Sequence, residues 1–305
     1  MRSLLIFTLV GVGAQLVDGA LGMAFGVTAS TLLVLSGVAS AQASAAVHLA
    51  EVGTTLASAV SHWRFKNIDW PMVAKLGIPG AAGAFVGATV LSSLSTESAA
   101  PLMAAILMGI GCYVLLRFSL GTPLSLGEHG TSHSAKFLAP LGLFGGFIDA
   151  SGGGGWGPVT TSTLLSQGKT APRTVIGSVS ASEFLVSVSA SLGFLVGLRQ
   201  EFLDNWPVVL GLMVGGVIAA PVAAWLVSRV NPALLGTAVG GVILLTNSQK
   251  LVHFFGVHWP WSTGIYSVIV VAWAALVFHA WRISRAPREV AESAVDVVAE
   301  PQRQS

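Results

Sequence analysis

Four acids stand inside long apolar stretches of this 305-residue chain: Asp18, Glu51, Asp149 and Glu183. Burying an ionisable side chain in apolar surroundings is costly unless it pairs, holds a cation or carries a proton. Each is therefore a candidate proton-coupling residue. The competing reading is a permanently protonated carboxyl in an interhelical hydrogen bond.

Glu51 belongs to a polar stripe. Ser44, His48, Glu51, Thr55, Ser58 and His62 recur at spacings of four, three, four, three and four, which is one face of a helix. Ser180, Glu183, Ser187 and Ser191 form a second such face. Two polar faces in an apolar chain should look at each other or at a wet cavity. His48 lies three residues before Glu51, near enough for a proton relay or a structural His–Glu bond.

Gly152-Gly153-Gly154-Gly155-Trp156-Gly157-Pro158 cannot form an ordinary helix interior, since each Gly costs about 1 kcal/mol relative to Ala. A break there frees amides, and Pro158 suits the first turn of a restarted helix. Free amides at a helix N-terminus bind anions. Gly153, Gly154, Gly155 and Trp156 are thus candidate solute-binding residues. Gly22, Met23, Ala24 and Phe25 are their counterparts in an earlier, weaker copy, with His48, Thr55, Ser180 and Ser187 completing the shell. Close helix packing through small residues is the alternative.

The elements that carry these residues lie in a bilayer. Charged residues are 9% of the chain against roughly 25% in soluble proteins, and hydrophobic residues are 53%. A single cysteine, Cys112, excludes an internal disulfide and a Cys-based zinc cluster. A net charge of +2 gives no basic field for nucleic acid. Met1-Arg2 and the apolar run Leu4 to Val12 outline a signal peptide, but the motif that follows returns later, so this is read as an uncleaved first membrane segment. His129 and His133 beside Glu128, and His253 and His258, read as solvated loop residues. No metal ligand set, cofactor motif, nucleophile elbow or phosphate-loop lysine is assigned.

The chain repeats itself. Asp18 to Gly26, leading to Ser30-Thr31-Leu32-Leu33, answers to Asp149 to Gly157, leading to Ser162-Thr163-Leu164-Leu165. Glu51 answers to Glu183 and Trp70-Pro71 to Trp206-Pro207, with an offset drifting from 131 to 136. Apolar runs predict full spans near 42–62, 72–94, 100–118, 174–198, 207–228, 232–249 and 262–282. The stretches 4–36 and 137–167 instead predict re-entrant or broken-helix hairpins with arms of 12 to 15 residues.

Positive charge near Arg64, Arg117, Lys169, Arg229 and Arg282 falls on the cytoplasmic side if each hairpin returns to the side it entered, while Arg2, Arg199 and Lys250 do not. The expected fold is an all-α polytopic membrane protein of two inverted repeats, each a glycine-rich hairpin plus three spans, with one extra C-terminal span. Its divisions are 1–119, an inter-repeat loop 120–135, 136–250, a span 251–283, and a mobile polar cytoplasmic tail 284–305. Trp63, Trp70, Trp206, Trp259, Trp261 and Trp281 read as interfacial anchors.

Duplicated halves that each open on a glycine-rich hairpin resemble the sulfite exporter TauE/SafE family of membrane permeases, over roughly residues 4–250. The family's run of the form G-x-G-G-G followed by Pro matches Gly152 to Pro158; the first copy, Gly19 to Gly26, is degenerate and lacks the proline. Glu51-Val52-Gly53-Thr54-Thr55 through Ser61-His62 is similar to the family's second helix.

The resemblance implies a multi-pass cell-membrane transporter, not an enzyme, moving a small sulfur-containing anion such as sulfite, sulfoacetate or another organosulfonate, with proton coupling. Its partners would be that anion, protons and the lipid bilayer; a homodimer stays open. Asp18 and Asp149 at the tips depart from the family pattern, because negative tips repel an anion unless protonated or bound to a coupling ion. A cation exchanger built on the repeated acids is the rival class; a membrane-embedded enzyme lacks a nucleophile and base.

Overall fold

A computed structural model describes residues 2–21, 23–120, 133–167, 169–198, 206–227 and 231–299. Among these there is no strand. The helices are α1 (Arg2–Leu21), α2 (Phe25–Leu35), α3 (Ser40–Arg64), α4 (Trp70–Ser93), α5 (Thr96–Ser119) and α6 (Ala135–Gly152). A π-helical turn (Gly157–Thr161) then runs into α7 (Ser162–Gln167), followed by α8 (Pro172–Gly197), α9 (Trp206–Val227), α10 (Pro232–Phe254) and α11 (Trp261–Ala299).

Local sequence explains the starts. Asp69 accepts from Met72 N at 3.1 Å ahead of α4, with Pro71 in the first turn. Asn231 does the same for Ala233 N at 2.8 Å ahead of α10.

Among the described residues, four stretches are long and apolar enough to cross a membrane unaided: Trp70–Ser93, Glu97–Ser119, Thr174–Gly197 and Trp261–Ile283. Helix α3 has the length, 25 residues, but carries the polar stripe, of which Ser44 and His48 reach Ala150 O and Asp149 of α6.

The two broken segments differ from the expected pair of short arms. Their first arms are full helices of 20 and 18 residues, about 30 Å long, while α2 has only 11. Gly11 and Gly142, inside those first arms, do not break them because each is a packing notch. A Cβ at Gly11 would sit 2.5 Å from Leu212 O of α9, and one at Gly142 would strike Leu76 O of α4. So α1 lies along α9 and α6 along α4, each half lending its first helix to the other.

Helix α5 packs on α10, and α11 attaches to α10, where Trp273 Nε1 donates to Thr237 O at 3.1 Å. The polar stretch after residue 283 was expected to be a mobile tail. Through Ala299 it continues the helix of α11, with Pro287 inside it. The six expected anchor tryptophans are all exposed.

At one end of the molecule the loop after α3 meets the start of α8. Asp69 N donates to Ser178 Oγ at 2.8 Å, and Gly177 lies against Asn67 O. Two apolar clusters form the core, one centred on α1, α2, α5 and α9, the other on α4, α6 and α8. Helix α3 contributes to both.

Candidate functional site

The breaks after α1 and after α6 meet between those two clusters. After α6 the chain turns through Gly153, Gly154 and Gly155 with φ of 73°, 144° and 155°, a left-handed path that only glycine takes cheaply. The other reason for glycine is contact. A side chain on Gly154 would strike the backbone of Gly26 and Val27 at the start of α2. Ser30 Oγ donates to Gly153 O, and Ser162 Oγ lies 3.3 Å from Met23 Sδ. Each tip is thus held by the serine that follows the other tip.

The two aspartates cap the restarting helices. Asp18 Oδ1 accepts from Ala24 N at 2.8 Å and Phe25 N at 3.1 Å. Asp149 Oδ1 accepts from Trp156 N at 2.9 Å, and Gly154 N donates to Asp149 O at 2.8 Å. A carboxylate at a helix N-terminus is favoured by the free amides and the dipole there. These amides were expected to be open to an anion; three of them are taken by side chains of the protein itself.

Beside the tips lies a cavity of about 60 Å³, room for a few waters or a solute of a few heavy atoms. Asp18, Glu51, Asp149 and Glu183 all line it, and among the described residues no Lys or Arg does. Met23, Ala24, Phe25, Gly155, Trp156 and Ser180 also line it. The Trp156 ring is wholly buried, and its Nε1 donates to Val179 O at 3.2 Å.

Among the described candidates, Gly153, Gly154, Thr55, Ser187 and His48 are not in the cavity lining. Gly153 and Gly154 form the contact between tips. Gly22 lies outside the described residues. Thr55 returns its hydroxyl to Glu51 O at 2.5 Å, and Ser187 is buried with no hydrogen-bond partner for its hydroxyl; neither lines the cavity.

His48 is fully buried behind the cavity. Its Nε2 is 3.0 Å from Asp149 Oδ2, and its Nδ1 is 2.8 Å from Ser44 O. It therefore pairs with an acid of the other half, not with Glu51 as its hydrogen-bond partner. Ligand atoms of His48, Glu51 and Asp149 all lie within 4.8 Å of one another.

Sequence reasoning did not name Gly26, Val27, Gly157, Pro158, Thr161, Ile176 and Val179 as lining residues. Gly157 and Pro158 stood in the glycine-rich run and Gly26 matched Gly157; the other four carried no signal.

The family model described as "Sulfite exporter TauE/SafE" matches residues 7–249. The chain is 46% identical over 298 residues to a Bacillus subtilis (strain 168) protein described as "Probable membrane transporter protein YtnM", covering 97% of this chain and 98% of that one. No solved structure matches.

Proposed function

We propose, from the premise that this chain belongs to the sulfite exporter TauE/SafE family and is a multi-pass membrane transporter, that it moves a small sulfur-containing anion coupled to protons. Sulfite, sulfoacetate and related organosulfonates are the substrate class. The protein is a transporter and not an enzyme.

The observation that carries this reading is the meeting of both helix breaks and all four repeat-related acids at one cavity. With no Lys or Arg among the described lining residues, helix N-termini supply amides to an anion. In the resting arrangement Asp18 and Asp149 occupy those amides. A proton taken up by either aspartate weakens its hold on the amides, and the oxygens of the solute take its place. One proton and one anion would then enter together, with Glu51 and Glu183 passing protons across the cavity. Ser180 offers a hydroxyl to the same solute.

The swapped packing of α1 on α9 and α6 on α4 supports two inverted repeats that rock against each other. The Gly11–Leu212 and Gly142–Leu76 contacts support it further, because they join positions related by the offsets of Asp18 to Asp149 and Trp70 to Trp206.

A second reading has one observation in its favour. Four carboxylates with no Lys or Arg among the described lining residues suit a cation. A thermal-shift screen of the purified protein against sulfite, sulfoacetate, taurine, thiosulfate, sulfate, Na⁺ and Ca²⁺ tests both, since only a ligand preferring the folded state raises the melting temperature. Stabilisation by one sulfur anion, stronger at low pH, is the expected result. Stabilisation by cations alone would overturn it.

A further inference from the structure

We propose that His48, Glu51 and Asp149 bind one divalent cation of borderline type, the Zn²⁺ or Co²⁺ class, with an open coordination position facing the cavity. The site shares Glu51 and Asp149 with the proposed proton path, so ion and proton compete for these two carboxylates, whichever solute is transported.

The hydrogen bonds around His48 fix its protonation pattern. Ser44 O, 2.8 Å from Nδ1, can only accept. The Ser44 hydroxyl, 3.4 Å from Nδ1, spends its proton on Ala150 O at 2.7 Å, so it too faces Nδ1 as an acceptor. Nδ1 therefore carries the hydrogen, and a neutral His48 turns the bare lone pair of Nε2 toward Asp149 Oδ2 at 3.0 Å. Two acceptors at that distance need a cation or a shared proton between them.

Glu51 supplies the second, independent sign. It is 3% exposed, and its buried Oε2 has no partner. A buried carboxylate oxygen left unpaired is expensive, and an ion beside it removes the cost. The ligand atoms of the three residues lie within 4.8 Å of one another, a span one ion can bridge.

The surrounding shell is that of a metal site. A ligating histidine usually donates its far N–H to a carbonyl, and His48 does so to Ser44 O. A ligating carboxylate is usually held by a second hydrogen bond, and Trp156 N holds Asp149 Oδ1. One imidazole and two carboxylates suit borderline divalent ions more than Na⁺ or Ca²⁺, whose sites are built from oxygen. Three protein ligands leave a position for water or a solute oxygen.

The test uses untagged, full-length protein titrated with Co²⁺ and followed by visible absorption. One Co²⁺ per chain should bind saturably, develop visible bands and be displaced by Zn²⁺. Both His48→Gln and Glu51→Gln should lose the bands, while His133→Gln keeps them. Pulsed electron paramagnetic resonance on Co²⁺-loaded wild type should show coupling to a single imidazole nitrogen, a readout that does not depend on any variant folding. Absence of saturable Co²⁺ binding, bands unchanged in both variants, or no imidazole coupling would overturn the site and leave a shared proton between His48 and Asp149. Sulfur-anion stabilisation, measured separately, is untouched by that failure.

Discussion

The carboxylate of Asp149 reaches Trp156 N with one oxygen at 2.9 Å and His48 Nε2 with the other at 3.0 Å. One side chain therefore ties the restart of the broken helix in the second half to α3 of the first. Asp18, its counterpart, caps Ala24 N and Phe25 N with a single oxygen, and no hydrogen bond to its other oxygen is seen among the described residues. The repeat is chemically asymmetric at the place where the two halves touch.

That asymmetry predicts unequal costs. Asp18→Ala loses a helix cap, worth about 1 kcal/mol. Asp149→Ala loses a cap and also strands a buried imidazole, for a total of about 2 to 4 kcal/mol. Melting curves in one detergent should rank wild type, Asp18→Ala and Asp149→Ala in that order. Equal losses would contradict the dual role of Asp149.

Close approach, more than backbone freedom, is the reason for Gly154. Gly37 also has a positive φ, 91°, but a Cβ there meets nothing within 4 Å. Gly37→Ala should cost about 1 kcal/mol from backbone strain alone. Gly154→Ala adds a clash with the start of α2 and should cost about 3 kcal/mol or more. Chain yield and melting temperature of the two variants separate these effects.

Acid should loosen the end of the molecule that holds His133. Burial, and then the charge of Lys169, hold its imidazole below the usual value of 6.5. The folded state thus resists a proton that the opened state accepts. Its contribution is intact above pH 6.5 and is lost as pH falls below that. Melting temperature should fall on acidification through this range, and His133→Gln should flatten the fall. An identical profile in the variant would remove His133 from the cause.

The approach of Asp69 to Ser178 at 2.8 Å requires the loop after α3 and the start of α8 to share one side of the membrane. Reporter fusions at Arg64 and at Lys169 should give the same signal. Opposite signals would break the inverted-repeat arrangement.

Much of this was legible in the sequence because duplication writes the same chemistry twice. Asp18 with Asp149 and Glu51 with Glu183 stood out as rare acids in register, and all four reach one cavity. Helix lengths were less legible. The first arms run past the expected 12 to 15 residues, and only the backbones of Leu212 and Leu76 reveal that Gly11 and Gly142 within them are packing notches. The partner of His48 was hidden for a related reason. Glu51 is three residues away and shares its helix face, whereas Asp149 is 101 residues distant and arrives only through the tertiary fold. The amides of the glycine tip were expected to await an anion, but spacing along the chain does not tell that Asp149 folds back onto Trp156 N.

The most direct test is uptake of radiolabelled sulfite into proteoliposomes holding the purified protein, with an imposed pH gradient, for wild type, Glu51→Gln and Glu183→Gln. The account predicts gradient-driven sulfite accumulation in wild type, and in both variants a flux that is lost or no longer follows the gradient. Sulfite flux with the wild-type pH dependence in both variants, or no flux of any sulfur anion in wild type, would contradict it.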